Sequence, residues 1–231
     1  MAHKKGCLSS EVLTRTYIYK DKNYVFPIMA VTSDRENLFG EEYGIFVGRG
    51  YGNGRPGNGK SYNCNWNADW ERPANFEYIT DKGEYVFNQE VDISSCGGWS
   101  RSYEPHSFKL KAAKYYNGLN SMDYQFFSSK PYQKHKTLQI RNGGNDNEGR
   151  IKDAAIQEVV RQSGINVHTQ AWQPVHVFIN GEYNGVMNMR EPNNKHYAYS
   201  NYGYDTDSID QFEMSPDSGY VQMKGAGDYF K

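Results

Sequence analysis

Three places in this 231-residue chain combine residue types that hold anions. Arg101, Lys109 and Lys111 follow a Gly97-Gly98 break on segments patterned as strands. A strand lysine that faces a cleft can hold nucleotide phosphates, although a solvated strand face would look the same. The run Arg141-Asn142-Gly143-Gly144-Asn145-Asp146 joins a strand to a helix. Its Asn, Gly and Asp suit a tight turn and an N-cap, and Arg141 beside free helix N–H groups could also meet an anion. The third place is the loop after Val47, with glycines at 48, 50, 52, 54, 57 and 59. Bare backbone N–H groups can approach phosphate there, yet no helix follows and the Walker spacing is missing, so a surface loop is the alternative.

Other polar residues carry less. Asp153 on the polar side of the helix and Glu191 beside Arg190 both read as local ion pairs. Asp69 and Glu71 invite a hydrolase reading, but alternate residues on a strand share a face without forming a catalytic pair. His106, His168 and His176 lack ligand spacing, so no metal site is expected. There is no Gly-x-Ser-x-Gly elbow. Cys7, Cys64 and Cys96 are odd in number and not spaced as ligands, and they read as isolated thiols.

The elements that must position these residues are mostly strands. Tyr17 to Tyr24 reads as an edge strand, 27–32 as a buried strand, 44–48 as a further strand, and 74–79 with 85–87 as a hairpin about Asp81-Lys82-Gly83. Residues 107–111 alternate apolar and basic, and 138–140 form another strand. Ile151, Ala155, Ile156, Val159 and Val160 share one helical face, with Asp146 or Asn147 as cap and Gly164 at the end. Residues 174–179 and 183–189 form a hairpin through Asn180-Gly181, a type I′ signal. A short helix over 193–201 and a strand over 220–224 follow. With 20 Tyr, 11 Phe and 23 Gly, the composition predicts a strand-rich α+β protein, divided into an N-terminal segment (1–26) and one domain (27–231). A net charge of -1 gives no electrostatic case for nucleic acid or a membrane surface. No apolar run is long enough for a membrane span, and Met1 to Lys5 does not start a signal peptide.

Five segments, taken in order, resemble the CotH kinase family, named for a spore-coat protein. They are PIMAVTSDRENLF, DWERPANFEYI, GGWSRSYEPHSFKLKA, LQIRNGGNDN with IKDA, and VHVFINGEYNGVMNMREP. The likeness covers about residues 27–224 and is nearest to members from gut Bacteroidetes-like bacteria. It implies an atypical protein-kinase-like α+β fold, with a twisted antiparallel sheet, one main helix and a following hairpin. It implies phosphoryl transfer from ATP, with Mg, to Ser or Thr of a protein, outside the cytoplasm or at the cell surface, with a protein substrate or surface partner. Carried over residue by residue, it makes Arg101, Lys109, Lys111, Arg141, Asp153 and Glu191 the nucleotide-binding set, with Asn142 and Asp146 in the same turn. Two positions depart from the family pattern. His106 stands where Lys is usual, a poor substitute for a fixed ammonium, and Lys152 stands where Arg is common. The family's later Asn/Asp and Trp-Asp-x-Asp-like segments have no counterpart here, so no catalytic residue is assigned and a truncated domain is expected. The competing reading is a non-catalytic secreted module that binds a surface protein or glycan through Tyr51, Tyr62, Trp66, Trp70 and Trp99.

Overall fold

The computed structural model describes residues 2, 4–8, 10, 13–19, 22–48, 64–144, 146, 148–215 and 219–224. Its strands are β1 (Ile28–Thr32), β2 (Arg72–Ile79), β3 (Tyr85–Ser95), β4 (Phe108–Lys111), β5 (Met122–Asp123), β6 (Lys134–His135), β7 (Thr137–Arg141), β8 (Trp172–Ile179), β9 (Glu182–Arg190), β10 (Gln211–Ser215) and β11 (Gly219–Lys224). The helices are α1 (Arg35–Phe39), α2 (Lys114–Asn117), α3 (Lys152–Ser163) and α4 (Lys195–Tyr202). Seven strands close into a barrel in the order β1-β2-β3-β4-β7-β9-β8. The seam is a parallel pairing of β1 with β8, Ile28 opposite His176 and Val31 opposite Ile179.

This corrects the expected α+β kinase-like sheet with one main helix. Each barrel strand sends apolar residues to the same side, and β1 and β8 also bury apolar residues on the other. Met29 and Val31, Phe76 and Tyr78, Phe87, Val91 and Ile93, Phe108 and Leu110, Leu138 and Ile140, Val175 and Val177, Met187 and Met189 are all buried in one cluster. A sheet with an apolar face across its whole width needs a cover. Curling until the first and last strands meet buries that face and removes both edges. Irregular registers at Tyr78/Ile79 and His176/Phe178 add the local twist that closure requires. Helix α3 could not have been the cover, because Ala154 is its only buried residue. The apolar face expected for α3 is largely in solvent, with Ile156 56% and Val159 68% exposed.

Several local readings match the structure. Asn180 and Gly181 both take positive φ, 51° and 83°, as the type I′ turn requires. Gly164 ends α3 with φ 74°. Asn194 caps α4 by accepting from the His196 and Tyr197 N–H groups. The strand expected over 44–48 is instead a set of turns tied to α1, Ile45 N–H to Asn37 O and Phe46 N–H to Leu38 O, both 3.0 Å. The glycine-rich stretch from 49 to 63 lies outside the described residues. So do Tyr51 and Tyr62.

Candidate anion-binding site

Strand alternation decides which cations share a surface. On β4, Phe108 and Leu110 point into the barrel, so Lys109 and Lys111 point out. Lys109 lies opposite Ser94 on β3 and Gln139 on β7, and Gln139 lies opposite Arg190 on β9. Lys109, Gln139 and Arg190 therefore cross the outer wall side by side, one strand spacing (about 4.8 Å) apart. Arg141 is two residues along β7 on the same face.

Two arginines there share one carboxylate oxygen. Arg141 Nη1 donates to Asp153 Oδ2 at 2.7 Å, and Arg190 Nη1 donates to the same atom. The Arg190 side chain is only 3% exposed, and its Nε has no partner among the described residues. Burial, and then the like charge of Arg141, work against the charged form of Arg190, while Asp153 supports it; its pKa is lowered overall. Among the described residues no carboxylate pairs with Lys109. The face thus holds more positive than negative charge, with one anion place partly filled by Asp153.

Cys96 lies beneath this face, 1% exposed, and its Sγ accepts from Gln139 Nε2 at 3.6 Å. Burial raises its pKa, while Lys109, Arg101 and Arg141 all act on the thiol in the opposite sense. Lys109, Arg101 and Arg141 are thus near enough to this thiol to act on it, although they do not share a ligand there. Arg101 comes from the short turn 99–102 and is anchored elsewhere, donating to Trp66 O at 2.7 Å and Asp69 Oδ1 at 3.3 Å. Asn142 joins the two loops. Its Nδ2 donates to Ser100 O (3.1 Å) and Tyr103 O (3.2 Å), its Oδ1 accepts from Gly144 N–H (3.0 Å), and its own N–H donates to Ser107 Oγ (2.9 Å).

Helix α3 starts later than expected, with Ile151 at the N-cap position, and its start is held from five residues upstream by Asp146. Its Oδ2 accepts from Ile151 N–H at 2.9 Å and Lys152 N–H at 2.7 Å. The Lys152 N–H, above all, holds its carboxyl below the usual range. Asp146→Ala leaves those donors without their acceptor and should lower the chemical-denaturation midpoint, whereas Asp146→Asn should keep most of it. A scan of both variants in urea checks this.

The remaining expected residues lie apart from the cluster. Lys111 donates to both oxygens of Glu71, at 2.7 and 2.9 Å. Asp69 and Glu71 thus hold different cations, which removes the basis for pairing them as hydrolase carboxylates. Glu191 points to the opposite face from Arg190, as neighbours on a strand do. It is 3% exposed and accepts from Ala171 N–H (2.7 Å), Asn201 Nδ2 (3.2 Å) and the Tyr132 hydroxyl, with Lys130 Nζ at 3.3 Å. It ties the 130–132 loop, the entry to β8 and α4 together. The ion pair of Glu191 is therefore with Lys130 and that of Arg190 with Asp153, where sequence proximity had paired them with each other. Alternation was the signal that separates them.

His106 is also outside the cluster. Its Nδ1 is 2.8 Å from Arg101 O, and its ring stacks on Phe46 with centroids 5.1 Å apart and planes at 8°. Burial pushes its pKa down. It packs as a neutral ring, and it lines a 600 Å³ cleft with Phe46, Glu104 and Tyr183.

Residues 93–226 match the family described as CotH kinase protein. The chain belongs to that family. All six residues of the expected nucleotide set fall within the matched stretch, as does the whole Lys109–Arg141–Arg190 cluster. No curated protein matches the chain. Among the described residues, no helix is long and apolar enough to cross a membrane, and no three His, Cys, Asp or Glu side chains converge as metal ligands.

Proposed function

We propose that this CotH-family chain holds the phosphates of ATP on the outer wall of its barrel, and so serves phosphoryl transfer to a serine or threonine of a protein outside the cytoplasm or at the cell surface. The observation that carries the reading is the excess of positive charge where Lys109, Arg141 and Arg190 share one face of the barrel wall, with Asp153 the carboxylate paired to it among the described residues. The donor set fits a phosphate chain. Guanidinium forks match phosphate geometry, and the buried Arg190 Nε still has a hydrogen to give. ATP supplies the transferable phosphoryl group; the protein's own part is to bind and orient it. Lys109 and Arg141 are the exposed contacts. Asp153 fixes the two arginines and is a positioning group. Lys111 and Glu191 are engaged elsewhere and have no place in this contact set. Among the described residues no three His, Cys, Asp or Glu side chains converge, so the chain offers no ready-made metal cage and any magnesium would arrive with the phosphates.

Hydrogen bonds to charged groups contribute about 1.5–3 kcal/mol each. Lys109→Ala or Arg141→Ala should therefore weaken ATP binding by about ten- to a hundredfold, while Lys111→Ala should leave it nearly unchanged. Titration of each variant with ATP by thermal shift measures this, because a ligand bound only by the native state raises the midpoint. No shift for the unsubstituted chain at millimolar ATP would sink the reading. Among the described residues nothing favours the binding-module alternative. Trp66 packs against Gly48 and His106, and Trp70 lies against Tyr43 and Arg72, so the two tryptophans do not form an open aromatic platform.

A further inference from the structure

The N-terminal segment lies outside the family match and carries a surface of its own. Residues 13–19 run extended across the outer face of β2 and β3, alternating between half-buried and exposed. Thr14, Thr16 and Ile18 face the barrel. Their grip centres on Glu77, an outward residue of β2 that the strap covers completely. Glu77 accepts from Thr16 N–H at 3.1 Å, from the Thr16 hydroxyl, and from the Tyr85 hydroxyl at 2.8 Å. Asn88 Nδ2 donates to Thr14 O at 3.2 Å. Further on, Tyr24 meets the His176 ring edge-on at 5.0 Å, and Lys22 sits 3.9 Å over Tyr183. The inward side is thus fixed by buried polar and aromatic contacts.

Among the described residues the outward side is largely open, with Arg15 folded back 3.9 Å over the Tyr85 ring. Leu13 is 88% exposed, and Tyr17 and Tyr19 are 90% exposed. Beside them opens a mostly apolar groove of 400 Å³, walled by Arg15, Tyr17, Ile18, Ile28, Ile79 and Tyr85. Protruding aromatics and an apolar groove that share one patch are self-complementary about a two-fold axis. The area is of the right order. Two tyrosines offer about 300–500 Å², against about 800 Å² per partner in a standard interface, and Leu13 and the groove walls add to it. Apart from the Thr16 N–H and the Thr14 carbonyl, the backbone of 13–19 makes no hydrogen bond among the described residues, so two straps can also pair strand to strand. A net charge of -1 puts little repulsion between copies. We propose that two copies of this chain associate through their straps, antiparallel, with Tyr17 and Tyr19 of each seated in the other's groove.

Sedimentation velocity of the full chain, from low to high micromolar, should show a mass rising from 26.6 kDa toward twice that value. Tyr17→Asp with Tyr19→Asp should hold the mass at one chain, with an unchanged far-ultraviolet spectrum because neither ring is packed in the monomer. Photochemical dityrosine formation in the unsubstituted protein should join peptides containing Tyr17 and Tyr19 from two copies. A chain that stays at 26.6 kDa throughout the range overturns the proposal. So does a dimer that the double substitution leaves intact, or a cross-link that maps elsewhere.

Discussion

Glu191→Ala is expected to destabilise the protein by about 3–5 kcal/mol, the magnitude of breaking one side of a buried ion pair. Two losses combine. Lys130 is left 17% exposed without its counter-charge, and Ala171 N–H, Asn201 Nδ2 and the Tyr132 hydroxyl lose their acceptor. Against a usual total stability of about 5–15 kcal/mol this is a large fraction. A companion variant separates the parts. Lys130→Met with Glu191→Leu removes both charges and fills the space with apolar atoms, which is often close to neutral for the pair itself. It should recover much of the loss but not the share due to the orphaned Ala171 N–H, about 1–3 kcal/mol. Urea unfolding of the two variants against the unsubstituted chain gives the comparison. A loss below about 1 kcal/mol for Glu191→Ala would mean that water reaches the carboxylate, and the tie between the 130–132 loop, β8 and α4 would not be structural.

What the sequence made legible was local. The Asn180-Gly181 turn and the glycine after α3 are each decided by a few neighbouring residues, and each is found where local chemistry puts it; Asp146 holds the start of α3, but from the loop before the Ile151 N-cap position. The outward face of β4 was legible for the same reason, since Phe-Lys-Leu-Lys can bury only its first and third residues. Barrel closure was not legible. It depends on β1 meeting β8, a parallel pairing between Ile28 and His176 that no short pattern announces. The open-sheet expectation failed at that contact. The helix face failed for a related reason. Ile156 and Val159 recur at helical spacing, but the barrel's core was already full, and α3 is held instead through Asp153 and through Gln157, whose Oε1 accepts from Gln170 N–H at 3.1 Å. At the site, Asp153 reads from the sequence as a charge on the polar side of the helix, and its pairing with Arg141 depends on where α3 lies against β7. Sequence proximity pairs Arg190 with Glu191, but adjacent residues of an extended chain face apart, and the partners are Asp153 and Lys130.

Acidification from pH 7 to about 5 should remove about 2 kcal/mol of stability through His135 alone. The ring is 4% exposed and lies among Phe126, Phe127 and Tyr132, with centroids 5.2–5.4 Å away. Burial pushes its pKa from the ordinary 6.5 down to about 4, with Asp123 and a hydrogen bond to the Tyr124 backbone opposing only in part. The sign follows from proton counting. Between those two values the unfolded chain binds a proton at this residue and the folded chain does not. Stability is therefore full above 6.5 and falls as the pH drops toward 4, by about 3 kcal/mol over the whole range. Burial also lowers the pKa of His106 and His176, so they contribute in the same direction. His135→Phe isolates the effect, since Phe suits the aromatic surroundings and cannot titrate. The variant loses the Tyr124 hydrogen bond at every pH, so its absolute stability is lower near neutrality, but its stability should fall less steeply between pH 7 and 5. Urea unfolding at a series of pH values measures both slopes, and equal slopes would show that His135 is protonated in the folded barrel as readily as in water.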